Sequence, residues 1–327
     1  MTTRTIEEQL VASLRDAHAL EQMALAQLER APAIAGEEAL ALALRDHLPE
    51  TRAHEQLVRE RLQAHDAEPS KLRDRAGDLA GAGFVAFAGF QADTPGKLAA
   101  HAFSYEHLEL AAYELLARLA EAAGDQETAV VAHRIRAEEA AMASRVEGTF
   151  DRTVAASLEA GAREDPAARL TTYLIDAHAI ESQAVKLLEK AVAIGGDPAL
   201  ERAYREHLDE TRGHLETIER LLEARGSSPS TLKDTALKAS ALNLGAFFGS
   251  QADTPGKLAA FAYAFEHLEI GAYEQLLRVA RTAGDEEAAA AAERILAEER
   301  AAADTVHASF DVAVRASLEA VGAGTTD

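Results

Sequence analysis

The chain has 327 residues, of which 48% are hydrophobic, so it is long enough for about two domains with packed cores. Cysteine is absent, which excludes disulfides, thiolate nucleophiles, cysteine-ligated zinc and iron–sulfur clusters. The 55 acidic and 33 basic residues give a formal net charge of −22, and a surface of that charge repels nucleic acid and anionic lipid. No apolar run approaches the ~18 residues of a membrane helix, and the N-terminus lacks a signal-peptide core. We therefore expect a soluble, cytoplasmic protein with no nucleic-acid or membrane partner.

The sequence contains two similar halves. The segment QADTPGKLAA occurs at 91–100 and again at 251–260, an offset of 160 residues, and EHLE and ASLEA recur at the same offset. A repeat of this length is too long for a solenoid unit, so each copy is expected to be a domain with its own core, residues 1–162 and 163–327. The boundary is placed in GAREDP at 161–166, which interrupts the helical pattern.

Each copy is predicted to be helical, because Ala, Leu, Glu and Arg dominate and runs of β-branched residues are missing. In the first copy we predict a partly helical crossover segment at about 70–92 and four long helices at about 5–31, 37–65, 95–123 and 126–158. In the second copy the predicted helices lie at about 165–191, 197–225, 255–283 and 286–318. Four long helices with one long central connection are typical of a ferritin-like four-helix bundle. The predicted fold class is all-α, with two tandem ferritin-like bundles.

All four helices of each copy place carboxylates or imidazoles on or beside the apolar stripe, near mid-length. The second helix shows this pattern well, since its stripe contains Leu40, Leu44, His47, Glu50 and His54. Burying such groups unpaired would cost several kcal/mol per ion. Divalent cations would remove this cost, because they accept oxygen and imidazole ligands directly. The pattern therefore predicts two divalent metal ions inside each bundle, as in di-iron bundles.

The histidines provide an internal check on this site. Of the twelve histidines, eight form four pairs at the 160-residue offset: His18/His178, His47/His207, His54/His214 and His107/His267. The two copies thus agree on the candidate site while they differ at many other positions. One difference lies beside the site, where Pro49 of the first copy is replaced by Asp209 in the second. Pro49 is predicted to kink the second helix.

Four motifs of the first copy resemble a known family. They are Asp16-x4-Glu21, His47-Leu48-x-Glu50-Thr51-x2-His54, Glu106-His107-x-Glu109-x3-Tyr113 and Glu138-Glu139. Together they resemble the YciF-like (DUF892) ferritin-like proteins, over about 5–158 and 165–318. That family is similar to rubrerythrin and bacterioferritin in its bundle and its dinuclear metal site, and it is associated with bacterial stress responses. This chain departs from rubrerythrin and bacterioferritin in having Glu50-x3-His54 in the second helix and no histidine after the glutamate of the fourth.

The resemblance implies a set of metal-site residues in each copy, with iron as the expected metal and manganese as the alternative. The expected ligands are Glu21, Glu50, His54, Glu106, Glu109 and Glu139, and in the second copy Glu181, Glu210, His214, Glu266, Glu269 and Glu299. Of the adjacent Glu138 and Glu139 only one can point straight inward, and we expect Glu139. Six further residues are expected to contact the ligands without binding the metal, as hydrogen-bond partners or packing residues: His18, His47, Tyr113, His178, His207 and Tyr273. By analogy, Glu50 and a third-helix glutamate would bridge the two ions, while Glu21 and the fourth-helix glutamate would be terminal ligands.

Three functions remain open at this point. The first is a redox protein that binds Fe(II), reacts with peroxide or dioxygen and limits oxidative damage. The second is dimanganese catalase-like disproportionation of peroxide, which needs the same ligands. The third is a metal-free helical stress or interaction protein. The two copies are expected to pack as a covalent pseudo-dimer, and homo-oligomer formation is left open.

Overall fold

The computed structural model describes residues 4–70, 94–160, 165–229 and 253–323. Within these ranges the regular structure is helical and contains no strand, so the protein is all-α, as predicted. The described residues form two compact units, which we call unit one (4–70, 94–160 and 321–323) and unit two (165–229 and 253–320). The expected boundary after residue 162 and the predicted crossover segments fall outside the described residues.

Among its described residues, each unit contains four long helices and one short helix. Unit one consists of α1 (Ile6–Leu28), α2 (Glu38–Ala64), α3 (Thr94–Ala123), α4 (Gln126–Glu147) and α5 (Phe150–Ala160), with a short 3-10 turn at Ala31–Ala33. Unit two consists of α6 (Pro166–Ile194), α7 (Pro198–Ala224), α8 (Thr254–Ala283), α9 (Glu286–Ala308) and α10 (Phe310–Ala320). In unit one, α1 and α4 each pack against both α2 and α3, so the four long helices form a closed bundle. In unit two, α6 and α9 each pack against both α7 and α8 in the same way.

The helices begin where the sequence supplies a side chain that can satisfy free backbone N–H groups. At the start of α1, the Thr5 hydroxyl accepts from the Glu8 N–H, and the Glu8 carboxylate accepts in return from the Thr5 N–H. Asp125 and Asp285 cap α4 and α9 identically, each accepting a backbone N–H at 3.0 Å. The repetition of caps at equivalent positions indicates that both copies form their helices by the same local rules.

The fourth long helix of each unit is shorter than predicted. Periodicity predicted one helix over 126–158, but α4 ends at Glu147 and α5 begins at Phe150. The Val146 carbonyl accepts both the Thr149 backbone N–H, at 2.9 Å, and the Thr149 hydroxyl, at 2.7 Å, so the chain closes a tighter i to i+3 turn at this point. In unit two the corresponding break is at Ser309, whose hydroxyl donates to the Val306 carbonyl at 2.6 Å. Hydroxyl groups at these positions thus compete with the helix, a local effect that periodicity does not reveal.

The core of unit one is apolar towards both ends of α2 and polar in the middle. Leu40 and Leu44 are buried before His47, and Val58 and Leu62 are buried after His54. The helix includes Pro49 and is not interrupted there. Apolar packing at the two ends therefore holds a polar section at mid-length.

No helix in the described ranges combines the length and the hydropathy needed to cross a bilayer.

The turn before α2 is fixed by a close contact with the start of α3. Gly36 has a φ of +66°, and a Cβ atom at this position would lie 2.8 Å from Cγ of Pro95. Unit two repeats the contact, since a Cβ atom on Gly196 would lie 3.0 Å from Cγ of Pro255. Only glycine satisfies both the left-handed backbone and the close approach.

Gly36→Ala is expected to destabilise the protein by about 2–4 kcal/mol, because it combines backbone strain with a clash against Pro95. The matched control is Gly124→Ala, which has a φ of +76° and no heavy atom within 4 Å of the added Cβ. The control should cost about 1 kcal/mol, from backbone strain alone. Urea unfolding of the two variants measures the difference, and equal destabilisation would contradict the role given to Pro95.

Candidate metal centre

Six polar side chains meet in the middle of the unit-one bundle, and all four long helices contribute. They are Glu21 of α1, His47 and His54 of α2, Glu106 and Glu109 of α3, and Glu139 of α4. None is more than 4% exposed. Each pair from one helix is spaced so that both members share a face, seven residues apart on α2 and three apart on α3. The spacing in the sequence therefore brings two side chains of α2 and two of α3 to the same part of the bundle interior.

The six residues form two donor groups that share one glutamate. Glu21, His54 and Glu139 make one group, and His47, Glu106 and Glu139 make the other, with one donor atom per residue within 4.8 Å of the rest. The Nδ1 atom of His54 lies 2.8 Å from Oε1 of Glu139. The Nε2 atom of His47 lies 3.1 Å from Oε2 of the same carboxylate. The two oxygens of Glu139 thus face two different imidazoles.

Unit two repeats this arrangement with one more donor. Its groups are Glu181, His214 and Glu299, and His207, Glu266, Glu269 and Glu299, again sharing the glutamate of the fourth long helix. The Nδ1 atom of His214 lies 2.8 Å from Oε1 of Glu299, and the Nε2 atom of His207 lies 2.9 Å from Oε2 of Glu266. Each unit by itself therefore presents a complete pair of donor groups.

Most donor atoms of both clusters are buried without a well-formed hydrogen bond. In unit one these atoms are Glu21 Oε2, His47 Nε2, His54 Nδ1, Glu106 Oε2 and both carboxylate oxygens of Glu109 and Glu139. The equivalent atoms of unit two are in the same condition. Buried polar groups are normally hydrogen-bonded, and a set left unpaired in one place requires an explanation. Oxygen and nitrogen donors converging from four helices fit divalent cations of the iron and manganese type.

A second layer of carboxylates lies behind the imidazoles. The Nε2 atom of His54 contacts Oε2 of Glu138 at 2.7 Å, and the Nδ1 atom of His47 contacts Oε2 of Glu50 at 2.8 Å. In each case the other ring nitrogen faces the donor cluster. A carboxylate that accepts the outer N–H leaves the inner nitrogen with a lone pair, which is the form that binds a metal. Unit two repeats both pairs, with His214 against Glu298 at 2.8 Å and His207 against Glu210 at 3.3 Å.

A buried tyrosine holds the carboxylate of α1. The Tyr113 hydroxyl donates to Oε1 of Glu21, and the Tyr273 hydroxyl donates to Oε1 of Glu181 at 2.5 Å. Tyr113 is fully buried, and burial together with the nearby Glu21 raises its pKa well above the usual value. The phenol therefore keeps its proton and fixes one oxygen of Glu21. The second oxygen faces the cluster.

Without a cation, the cluster can lower its electrostatic cost only by holding protons. Burial, followed by repulsion from Glu139, raises the pKa of Glu21 to about 8 and that of Glu109 well above its usual value. Burial alone would lower the pKa of His54, but the close contact with the Glu139 carboxylate and the attraction of Glu21 raise it to about 9. Cation binding at this point would displace these protons.

The comparison with known families covers nearly the whole of both units. The family described as "Domain of unknown function (DUF892)" matches residues 5–159 and 166–319. The chain belongs to the DUF892 family. The resemblance expected from the sequence is thereby confirmed, including its occurrence as two tandem copies. Each matched DUF892 segment includes every residue of the donor groups in its unit.

The structure places Glu50 and Glu210 outside the donor groups of the two DUF892 segments. These side chains are 37% and 55% exposed and belong to neither donor group. On α2 the buried face runs through His47, Thr51 and His54, and Glu50 lies at its edge. Both glutamates instead contact the outer nitrogen of the neighbouring histidine. The glutamates that belong to both donor groups of a unit are instead Glu139 and Glu299.

His47 and His207 belong to the donor groups, although the sequence analysis did not predict them as ligands. Both were expected behind the ligands, yet the Nε2 atom of each points at the carboxylates. A usable signal was present, since each histidine precedes a glutamate by three residues on the same helix, the spacing of an orienting carboxylate. His18 and His178 lie against Glu55 and Glu219, and neither belongs to a donor group.

The structure brings most of the other expected site residues together. The side chain of Glu139 is fully buried while that of Glu138 is 32% exposed, so Glu139 is the member of the pair that points inward. Glu21, His54, Glu106 and Glu139 lie in the donor groups of unit one, and Glu109 lies beside them with both oxygens unpaired. The two tyrosines contact the cluster through a glutamate.

Glu138→Ala is expected to weaken divalent-metal binding by unit one about 10-fold or more, because His54 loses the carboxylate that holds its outer N–H. Calorimetric titration of the metal-free chain with Mn(II) measures this change. Glu147→Ala is the matched control, since it removes an exposed glutamate from the same helix. Unchanged affinity in the Glu138 variant would contradict the role assigned to the outer carboxylate.

The metal-free protein is expected to lose stability as the pH rises from about 6.5 to about 9. The pKa of His54 rises from 6.5 to about 9 on folding, so its contribution is complete below pH 6.5 and is lost as the pH passes 9. The raised pKa of Glu21 acts in the same direction. Thermal unfolding in chelator at several pH values tests this expectation. A midpoint that rises over this range would contradict it, and the metal-loaded protein, whose ligands are already deprotonated, is the control.

Proposed function

We propose that each DUF892 unit binds two divalent metal ions, iron in the first instance, and uses them in a redox reaction with peroxide or dioxygen. The observation that carries this proposal is the shared glutamate. One carboxylate with an oxygen in each of two donor groups has the form of a bridging ligand between two ions. A site for a single ion would not need two imidazoles on opposite sides of the same carboxylate.

The donor types support iron, with manganese as the alternative. Each centre offers carboxylate oxygens and imidazole nitrogens and no sulfur, since the chain has no cysteine. Carboxylate-rich sites with histidine in four-helix bundles hold iron or manganese. Carboxylates also stabilise the higher oxidation state of either metal, so the same set of residues suits a redox centre.

The residues around the centre supply three functions that such a reaction needs. No donor-group residue is more than 9% exposed, so bulk water is kept from the reacting atoms. The outer glutamates hold the protons of the histidines on the side away from the cluster. Tyr113 holds Glu21 in place through a proton that burial makes difficult to lose. When bound, the ions would supply the electrons that reduce the oxidant.

The proposal is tested by the metal content and the reactivity of the purified full-length chain. We expect about four Fe or Mn ions per chain after loading, and Fe(II) oxidation or peroxide consumption that depends on them. Elemental analysis and assays with each metal separate the iron function from catalase-like peroxide disproportionation by manganese.

Replacing the shared glutamates, Glu139→Gln with Glu299→Gln, is expected to reduce metal loading to less than about a tenth and to abolish the activity, because both donor groups of each unit lose a member. The matched control is Glu127→Gln with Glu287→Gln, which removes two exposed glutamates at equivalent positions of α4 and α9. Circular dichroism checks that all variants fold. A chain that binds neither metal after Fe(II) or Mn(II) addition would overturn the proposal and favour a metal-free role.

A further inference from the structure

The two donor clusters are nearly identical, but one arginine that contacts the outer carboxylates of unit one has no counterpart in unit two. In unit one, Arg145 of α4 makes a two-pronged contact with Glu50, at 2.6 Å from Nη2 to Oε2 and 3.4 Å from Nη1 to Oε1. The residue at the equivalent position of unit two is Thr305. Its hydroxyl donates to the Ala301 carbonyl of its own helix at 2.9 Å. Within the described part of the chain, Glu210 forms no ion pair with an arginine or a lysine.

The other outer carboxylate does not show this difference. Arg134 contacts Glu138 at 2.9 Å in unit one, and Arg294 contacts Glu298 at 3.0 Å in unit two. The asymmetry is therefore confined to the carboxylate behind His47 and His207. These histidines belong to the donor groups that also contain Glu106 and Glu266.

Arg145 changes the charge around its donor group. The group of unit one has three glutamates in or beside it, Glu106, Glu109 and Glu139, with the Glu50 charge balanced by the guanidinium. Arg145 is also close enough to attract Glu106 itself. The group of unit two has the equivalent glutamates, but no arginine or lysine among the described residues pairs with Glu210. A divalent cation entering unit one would thus meet one more positive charge.

The positions of the donor atoms also favour tighter cation binding in unit two than in unit one. Four donor atoms of unit two, from His207, Glu266, Glu269 and Glu299, lie within 4.8 Å of one another. In unit one the corresponding group contains three, and Glu109 is not among them. A cation in unit two therefore finds more of its ligands already gathered, and less rearrangement is needed to bind it.

We propose that the two centres differ in affinity for divalent cations, and that Arg145, replaced by Thr305 in unit two, makes the centre of unit one the weaker. This inference rests on the metal centres of the proposed function. As the metal concentration rises, unit two fills first and unit one fills later. Arg145 acts through Glu50 and through its charge, so it is a residue that sets affinity and not a ligand.

The test measures each centre separately in the full-length chain. Glu299→Gln removes the shared glutamate of unit two and leaves the centre of unit one, and Glu139→Gln does the reverse. Titration with Mn(II), followed by the electron paramagnetic resonance signal of the free aqueous ion, gives a dissociation constant for each. We expect the constant of the unit-one centre to be about 10-fold larger, the change that an outer-layer group makes.

Exchanging the two residues should exchange the affinities. In the Glu299→Gln background, Arg145→Thr is expected to tighten binding about 5- to 10-fold, and in the Glu139→Gln background, Thr305→Arg is expected to weaken it by a similar factor. Arg145→Lys keeps the charge without the two-pronged contact and should keep most of the weakening. The matched control is Arg136→Thr, which removes a positive charge of α4 that is paired with Glu114 instead.

Three results would overturn the inference. They are equal constants for the two centres, no change on Arg145→Thr, and weaker binding on Arg145→Thr, which would mean that Arg145 favours binding by ordering Glu50. In all three cases the metal centres themselves would stand. If neither single-centre chain binds Mn(II) or Fe(II), while circular dichroism shows both folded, the proposed function fails together with this inference.

Discussion

Burial of like charges at mid-bundle is the constraint on which the rest of each unit depends. Glutamates from α1, α3 and α4 meet there at almost zero exposure, and Glu109 has no hydrogen bond on either oxygen. Desolvation of such groups opposes folding, and the apolar packing at the ends of the helices must overcome it. A bundle selected for stability alone would carry leucine at these positions. The cluster therefore lowers the stability of the bundle, a cost that the proposed metal centre would explain.

The acidic excess of the chain has two structural roles at this site. The inner carboxylates, such as Glu106 and Glu139, face one another and the inner nitrogen of an imidazole. The outer carboxylates, Glu50 and Glu138, face the opposite nitrogen and are themselves neutralised by arginine. Each imidazole is thus held between an acceptor inside and an acceptor outside. Part of the net charge of −22 belongs to this layered arrangement and is not a solvated surface.

The helices and most members of the cluster could be predicted from the sequence, because both follow the helical periodicity of apolar and polar residues. Glu21 and His54 sit on apolar stripes, and the 160-residue repeat showed that both copies keep them. The position of His47 inside a donor group and of Glu50 outside it could not be predicted in this way. Residues three apart on a helix differ by about 60° in direction, so His47 and Glu50 both lie close to the apolar stripe and periodicity alone does not decide which of them points inward.

The same reasoning explains why the end of the fourth helix was missed. Thr149 and Ser309 divert backbone hydrogen bonds through their own hydroxyls, while the hydrophobic pattern continues unbroken into α5 and α10. Neither residue breaks a helix by its propensity alone. Their effect depends on the local conformation of the chain, which cannot be predicted from the periodicity of apolar residues.

The sharing of Glu139 between two donor groups has a consequence for how a unit fills. The first ion to arrive would fix the carboxylate and neutralise part of the surrounding negative charge. Fixing one oxygen places the other for the second ion, while the two cations repel each other across a short distance. If the orienting effect is the larger, occupancy becomes cooperative, and a unit at a limiting metal concentration is either full or empty. One shared side chain would then turn a graded supply of metal into a two-state response.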